Sequence, residues 1–384
     1  MNNALMVAWQ QLSHQKVKLA AAAAGVVVAV MLMLVQLGIR QGAMDSSVAF
    51  SRRIASDLVV VSPRTKSIFR SAQFPRRLLY RLPSDSDVQQ VSEVYMSLAQ
   101  WKNEWENIEH PISVYGVDAS KLMLDLPGLD NKIRELELAD HVIFDSLSRT
   151  NYGPVNASLA KDGQVTTELN GRRVRVFDSI PVGISITTDG NLYCSLSNFL
   201  RLFPNRPAGS IDLGLVNLTP GANAEVVAER LRPLLGTEAR ILTRDQLVAA
   251  EIAYVRQTAP IDFIFGLGAA VGFFIGFVVV YQILYTEVAN HLPQLATMKA
   301  MGFTDSYLLR LVLWQATILA FMGYVPGYFI AIALYEVAET QIQMQFSMTW
   351  QRAIGILLAT LFMCAVSAVI AVRKAWAADP AEVF

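Results

Sequence analysis

Four long apolar stretches punctuate the chain: Leu19 to Ile39, Phe263 to Tyr285, Leu308 to Leu334 and Ala353 to Val372. Crossing a hydrocarbon core of about 30 Å takes roughly 20 helical residues, and each stretch is long enough. They predict four transmembrane helices at 19–39, 263–285, 308–334 and 353–372. The first outruns a signal-peptide core, and Gln41-Gly42-Ala43 after it makes a weak cleavage site, so it reads as an uncleaved anchor.

The pattern changes over residues 40–262. Aliphatic and β-branched runs beside Gly, Pro or Asp predict strands at Leu58–Ser62, Ile112–Val117, Val174–Ile180 and Ile211–Leu218. Val227, Leu231 and Leu234 recur at helical spacing after the Thr219-Pro220-Gly221 turn. Thr243 and Gln246 form a capping box that opens a helix toward Pro260. Met44, Val48, Phe50, Ile54 and Leu58 keep helical spacing beyond the first apolar segment, so that helix is expected to continue as half of a two-helix stalk. The expected fold is an α-helical membrane protein with four transmembrane helices and an inserted α+β extracytoplasmic domain on a helical stalk.

Composition agrees with a partly lipid-embedded chain: 53% of residues are hydrophobic and 17% charged. Net charge is zero, which gives no polyanion-binding signature and argues against a nucleic-acid partner. Local charge sets the expected orientation. Lys16 and Lys18 precede the first helix, Lys299 lies between the second and third, and Arg373 and Lys374 follow the fourth, whereas Glu336 to Gln351 has two acids and no Lys or Arg. The positive-inside rule then places the 1–18 segment, the 286–307 loop and the 373–384 tail in the cytoplasm, and 40–262 and 335–352 outside. Arg40, Arg52 and Arg53 run against it, but long translocated domains are largely exempt.

Candidate chemistry is sparse. The second helix has no ionisable residue between Asp262 and Glu287, the third none between Arg310 and Glu336, and the fourth none between Arg352 and Arg373, which argues against a proton pathway. Gly268, Gly272 and Gly276 form a double GxxxG suited to close helix packing, either within the chain or at a homodimer seam. Gly323, Pro326 and Gly327 are expected to bend the third helix. Outside, Arg52, Arg53, Arg64, Lys66, Arg70, Arg76, Arg77 and Arg81 oppose the single acid Asp57; such a run is a solvated face or a contact for lipid headgroups or an acidic partner. Trp101 and Trp105 read as core or interface. Glu104, Glu106, Glu109 and His110 lack metal-ligand spacing, as does His141 between Asp140 and Asp145. Cys194 and Cys364 lie too far apart in this topology to pair. No phosphate-binding loop, H-E-x-x-H or G-x-S-x-G occurs, so no catalytic, cofactor or metal site is expected, and any ATP must be bound by another subunit.

In the connection after the second helix, Pro293 can start a short helix and Gly302 end it, with Leu295, Met298 and Met301 near one another. Such a helix either rests on lipid or docks a soluble subunit. The segment from His291 to Phe303, HLPQLATMKAMGF, resembles the coupling-helix region of FtsX/MacB-like (type VII) ABC transporter permeases, and most closely their DevC group. The likeness extends to Phe265–Gly268, Val280–Tyr285, Asp189-Gly190, Asn198-Phe199 and the terminal Ala378–Phe384. Where the superfamily has a Glu-Ile-Gly-like tripeptide this chain has Gln294-Leu295-Ala296, which suits the DevC variant.

The resemblance implies a non-catalytic, multi-pass, homodimeric permease of the bacterial inner membrane. Its implied partners are a cytoplasmic ABC ATPase dimer carrying ATP and Mg, a periplasmic membrane-fusion adaptor, a TolC-like outer-membrane channel and membrane lipids. The ATPase contact falls on Leu292, Pro293, Leu295, Met298, Lys299, Met301 and Gly302. Motion of the ATPase would pass through the stalk to the outer domain and export a lipid-like cargo, glycolipid in the DevC case. A second reading is an FtsX-like regulatory scaffold that activates a periplasmic hydrolase.

Overall fold

The computed structural model describes residues 6, 8–10, 16–129, 132–184, 189–290, 304–342 and 346–377. It divides into two compact units, Met1–Gly42 with Pro260–Gln341 and Phe346–Phe384, and Ala43–Ala259 with Ile342–Gln345.

The first unit is helical. Helix α1 is Lys16–Ser47; α8, α9 and α10, numbered after the helices of the other unit, are Ile261–Asn290, Asp305–Ile342 and Trp350–Ala377. All four are long and apolar enough to cross a membrane, by length and composition. Each outruns the apolar stretch that predicts it, because the i to i−4 ladder continues into polar residues at no cost in side-chain burial. Thus α9 runs on past Glu336 to Ile342 and takes up part of the expected 335–352 connection, and it stays helical through Pro326. Val26, Val30 and Leu34 of α1, Val280 and Leu284 of α8, Leu319 and Ala320 of α9, and Met363 and Ala368 of α10 form one buried cluster. Polar ties also join the helices. Arg40 Nε donates to Asp262 Oδ1 at 2.6 Å between α1 and α8, and Tyr335 Oη on α9 donates to the Leu34 carbonyl.

The second unit is built on a nine-stranded sheet. Its helices are α2 (Ala49–Arg53), α3 (Ile133–Leu136), α4 (Val155–Asp162), α5 (Leu196–Leu202), α6 (Ala224–Leu235) and α7 (Arg244–Thr258). Its strands are β1 (Leu58–Val61), β2 (Phe74–Pro75), β3 (Val88–Asn103), β4 (Ile108–Val117), β5 (His141–Asp145), β6 (Val165–Leu169), β7 (Arg172–Ile180), β8 (Asn191–Ser195), β9 (Ser210–Ile211), β10 (Leu213–Leu218) and β11 (Arg240–Thr243). The order is β11-β1-β10-β3-β4-β8-β5-β7-β6, and β2 pairs separately with β9. Most neighbours are antiparallel, but β4 with β8 and β5 with β7 are parallel. A single pair, Trp101 opposite Leu169, brings β6 back to β3, so β3 is shared by two arms of the sheet.

Side chains alternate along β3 between two faces, each carrying a core. Tyr95, Ala99 and Trp101 join Val114, Phe199, Val227 and Leu231 on one face; Val94 and Met96 join Tyr115, Tyr193, Phe50 and Leu213 on the other. Local chemistry fixes the ends of elements. The two-residue Asn170-Gly171 turn between β6 and β7 has φ of 52° and 72°, the left-handed pair that hairpin turns need. Thr243 and Gln246 form the reciprocal capping box at the start of α7.

Several expectations need adjusting. The helix from α1 ends at Ser47; a short α2 follows, and Leu58 opens a strand, since the four residues Leu58–Val61 are all buried between β10 and β11. The expected strand Ile211–Leu218 divides at Asp212 into β9 and β10. On α6 the buried stripe is Val227, Ala228, Leu231 and Leu235, with Leu234 exposed.

Candidate functional site

The three expected helix-packing glycines of α8 lie against α1 of the same chain. A Cβ built on Gly276 would sit 2.7 Å from Ala29 Cβ, one on Gly272 3.3 Å from Leu32 Cβ, and one on Gly268 2.7 Å from the Gln36 amide carbon. Gly276 also faces Met363 Sδ of α10 at 2.7 Å. Helix α9 uses the same device: a Cβ at Gly327 would approach the Val27 carbonyl to 3.0 Å, and Gly323 lies against Val26. Helix α1 is therefore gripped from two sides by helices whose small residues let backbones approach. Opposite this grip, Phe263, Leu267, Val271, Phe274 and Val278 of α8 are exposed, as lipid-facing residues would be.

The expected ATPase contact at Leu292, Pro293, Leu295, Met298, Lys299, Met301 and Gly302 lies outside the described residues. They fall between the end of α8 at Asn290 and the start of α9 at Asp305.

In the sheet unit the basic run divides into two sets. Arg52 pairs with Asp45, Arg53 with Asp125, Arg76 with Glu93 and Arg77 with Glu238. Arg64, Lys66, Arg70 and Arg81 are exposed, and their side chains have no partner among the described residues. Trp101 is fully buried with its indole N–H donated to the Tyr152 carbonyl, while Trp105 is half exposed at the β3–β4 turn. Glu104, Glu106, Glu109 and His110 sit around the same turn, where Asn103 Nδ2 donates to Glu106 and His110 lies edge-on to Tyr152. His141 Nδ1 bonds the Ala139 carbonyl. Among the described residues no three His, Cys, Asp or Glu side chains converge as a metal site. Cys194 and Cys364 are both buried and free.

Among the described residues of the sheet unit four carboxylates are buried, and of these only Asp145 is named from the sequence. Asp212, between β9 and β10, accepts from Arg206 at 2.5 Å, from the Met96 N–H at 2.7 Å and from Ser71 Oγ at 3.2 Å. Glu251 of α7 accepts from Ser67 Oγ and the Ile68 N–H, both at 2.7 Å, and so ties down the loop that carries Arg64, Lys66 and Arg70. Asp145 ends β5 and accepts from Asn191 and from the N–H groups of Leu147, Val182 and Gly183. Glu93 of β3 meets Arg76 at 2.6 Å. Burial pushes all four carboxyls above their ordinary values, more than their partners pull them down. A visible signal existed for two of them: Asp212 and Glu93 interrupt otherwise apolar or alternating strand sequence.

Residues 249–380 match the family described as FtsX-like permease C-terminal, which supports an ABC-type permease component. Two solved structures are similar to the chain. One is the periplasmic region of MacB from Actinobacillus actinomycetemcomitans, 18% identical with a TM-score of 0.35, covering 50% of this chain and 92% of that one. The other is the extracellular domain of the noncanonic ABC-type transporter YknZ from Gram-positive bacteria, 12% identical with a TM-score of 0.34, covering 49% of this chain and 100% of that one. No curated protein matches the sequence.

Proposed function

We propose that this chain is the permease subunit of an ABC exporter in a bacterial inner membrane, of the DevC type, working as a homodimer with a separate cytoplasmic ATPase dimer. The observation that carries this reading is the FtsX-like permease match over 249–380, in a chain whose sequence has no phosphate-binding loop. Both termini and the 286–307 loop are cytoplasmic, and the sheet unit is periplasmic. ATP-driven closure of the ATPase pushes the Leu292–Gly302 segment, and the motion reaches the sheet unit, which moves a lipid-like cargo, glycolipid in the DevC case, toward a membrane-fusion adaptor and a TolC-like channel. Two observations support motion rather than conduction: long sections of the apolar helices lack ionisable residues, and small residues clamp α1 between α8 and α9.

The test is a double change in the coupling segment. Leu295→Asp with Met298→Asp puts charges where apolar anchors are expected, and truncating one such anchor can cost about 2 kcal/mol or more. The variant should insert normally, lose the ATPase on purification and lose export. Retention of the ATPase with full export would overturn the coupling role, and recovery of a peptidoglycan hydrolase in place of an adaptor would favour a regulatory scaffold.

A further inference from the structure

Along β3, main-chain groups of alternate residues face the edge opposite β4. The Val94 carbonyl accepts from Asp212 N–H on that edge, Met96 gives its N–H to Asp212 and its carbonyl to Arg206, and Gln100 exchanges bonds with Asn170. Leu98 falls between them. By the same alternation its N–H and C=O face that edge, where β10 has already ended and β6 has not begun, and they have no partner among the described residues. The sheet is thus parted at Leu98.

A groove of about 700 Å³ opens at this point, where Phe69, Met96, Leu98 and Tyr115 line it beside Arg70 and the polar Gln73 and Ser97. Arg206 and Asp212 also line it. Leu98 is 58% exposed, an unusual state for a leucine in the middle of a strand. Arg206 is almost wholly buried, yet its Nε–H has no acceptor among the described residues. Asp212 is already engaged by three donors, so among the described residues that line the groove the uncompensated charge is the Arg70 guanidinium. Apolar side chains, a cation without a partner among the described residues and an unpaired main-chain N–H at Leu98 complement a molecule with an apolar body and an anionic head.

From this juxtaposition we infer that the parted edge of β3 is a binding site for an anionic amphiphile, its apolar part on Phe69, Met96 and Leu98 and its anionic group held by Arg70 and the Leu98 N–H. That the bound molecule is cargo rests on the export reading; that it binds does not.

The probe is a diazirine-bearing long-chain fatty acid, compared with the corresponding uncharged alcohol, on the full chain in phosphatidylcholine nanodiscs. Labelled peptides are mapped by mass spectrometry. The acid should label the peptides holding 68–73 and 96–98 several-fold more than the alcohol does. Arg70→Glu should weaken that labelling about tenfold, the scale of one charge-assisted hydrogen bond, while Arg81→Glu, an exposed cation outside the groove, should leave it unchanged. Leu98→Asn provides a second variant at an exposed side chain and should lower labelling by both probes. Equal labelling by acid and alcohol, labelling confined to the apolar helices, or wild-type labelling in Arg70→Glu would overturn the site. Because no ATPase is present, the site and the coupling role can fail separately.

Discussion

Gly276 of α8 presents its bare Cα to the methyl group of Ala29 on α1, so closely that a Cβ added there would lie 2.7 Å from Ala29 Cβ. The glycine face is therefore filled from within the chain. Gly276→Leu should splay α1 from α8 and destabilise the helical unit by about 1–3 kcal/mol, as overpacking does. Phe274→Ala, on the exposed side of the same helix, should change the unfolding midpoint little. Detergent-solubilised unfolding compares the two, and equal midpoints would dissolve the claim that α1 and α8 depend on these glycines. A homodimer seam, if tested by crosslinking, should then survive Gly272→Leu better than it survives changes at Leu267 or Val271.

The buried pair of Arg206 and Asp212 should be asymmetric under mutation. Removing one partner leaves an uncompensated buried charge, so Arg206→Met alone should cost about 3–5 kcal/mol. Arg206→Met with Asp212→Leu removes both charges and should recover part of that loss, although the Ser71 and Met96 donors lose their acceptor. Urea midpoints of the four members of the cycle decide it. A double variant no better than the single one would mean the charges themselves matter little.

Glu251 gives a pH dependence of definite sign. Its folded carboxyl holds a proton more tightly than the usual value of 4.5, chiefly through burial. Its contribution to stability is therefore complete below the unfolded value and is lost as pH rises through the raised one. Unfolding midpoints at pH about 5 and about 7.5 should show the wild type losing more stability than Glu251→Gln, which cannot ionise. Parallel losses would exclude Glu251 as a source of the slope.

Orientation is open to labelling with an impermeant thiol reagent. Ser210, at the start of β9, is partly exposed in the sheet unit. In intact spheroplasts Ser210→Cys should react and Asn3→Cys should not; the opposite pattern would invert the proposed topology and with it the cytoplasmic placement of the 286–307 loop.

The four apolar helices were legible because length and apolarity need no tertiary information. The valine-rich β1 was legible for the same reason. Strand β3 was not: its 16 residues mix Glu93, Ser92 and Gln90 with Tyr95 and Trp101, and only pairing with three other strands explains why both faces are buried. Strand β6 did have a local mark, the Asn170-Gly171 turn, which the run-based reading passed over. The partners of the buried carboxylates were hidden because they come from elsewhere in the chain, Glu251 reaching back to Ser67 and Glu93 to Arg76. The groove at Leu98 is a further step removed, since it exists only where two arms of the sheet part.

The position of β1 also sets a schedule for synthesis. Its Leu-Val-Val-Val sequence is buried between β10 and β11, whose residues begin at 213 and 240. The strand is therefore made long before either neighbour exists, and such non-local pairing is slow to form. Until the ribosome has passed residue 243, four adjacent aliphatic side chains and their main-chain groups stay open to any strand they meet. Assembly of this unit should accordingly be most vulnerable during the interval between β1 and β10, and a shielding factor that acts then would have Leu58–Val61 as its natural target.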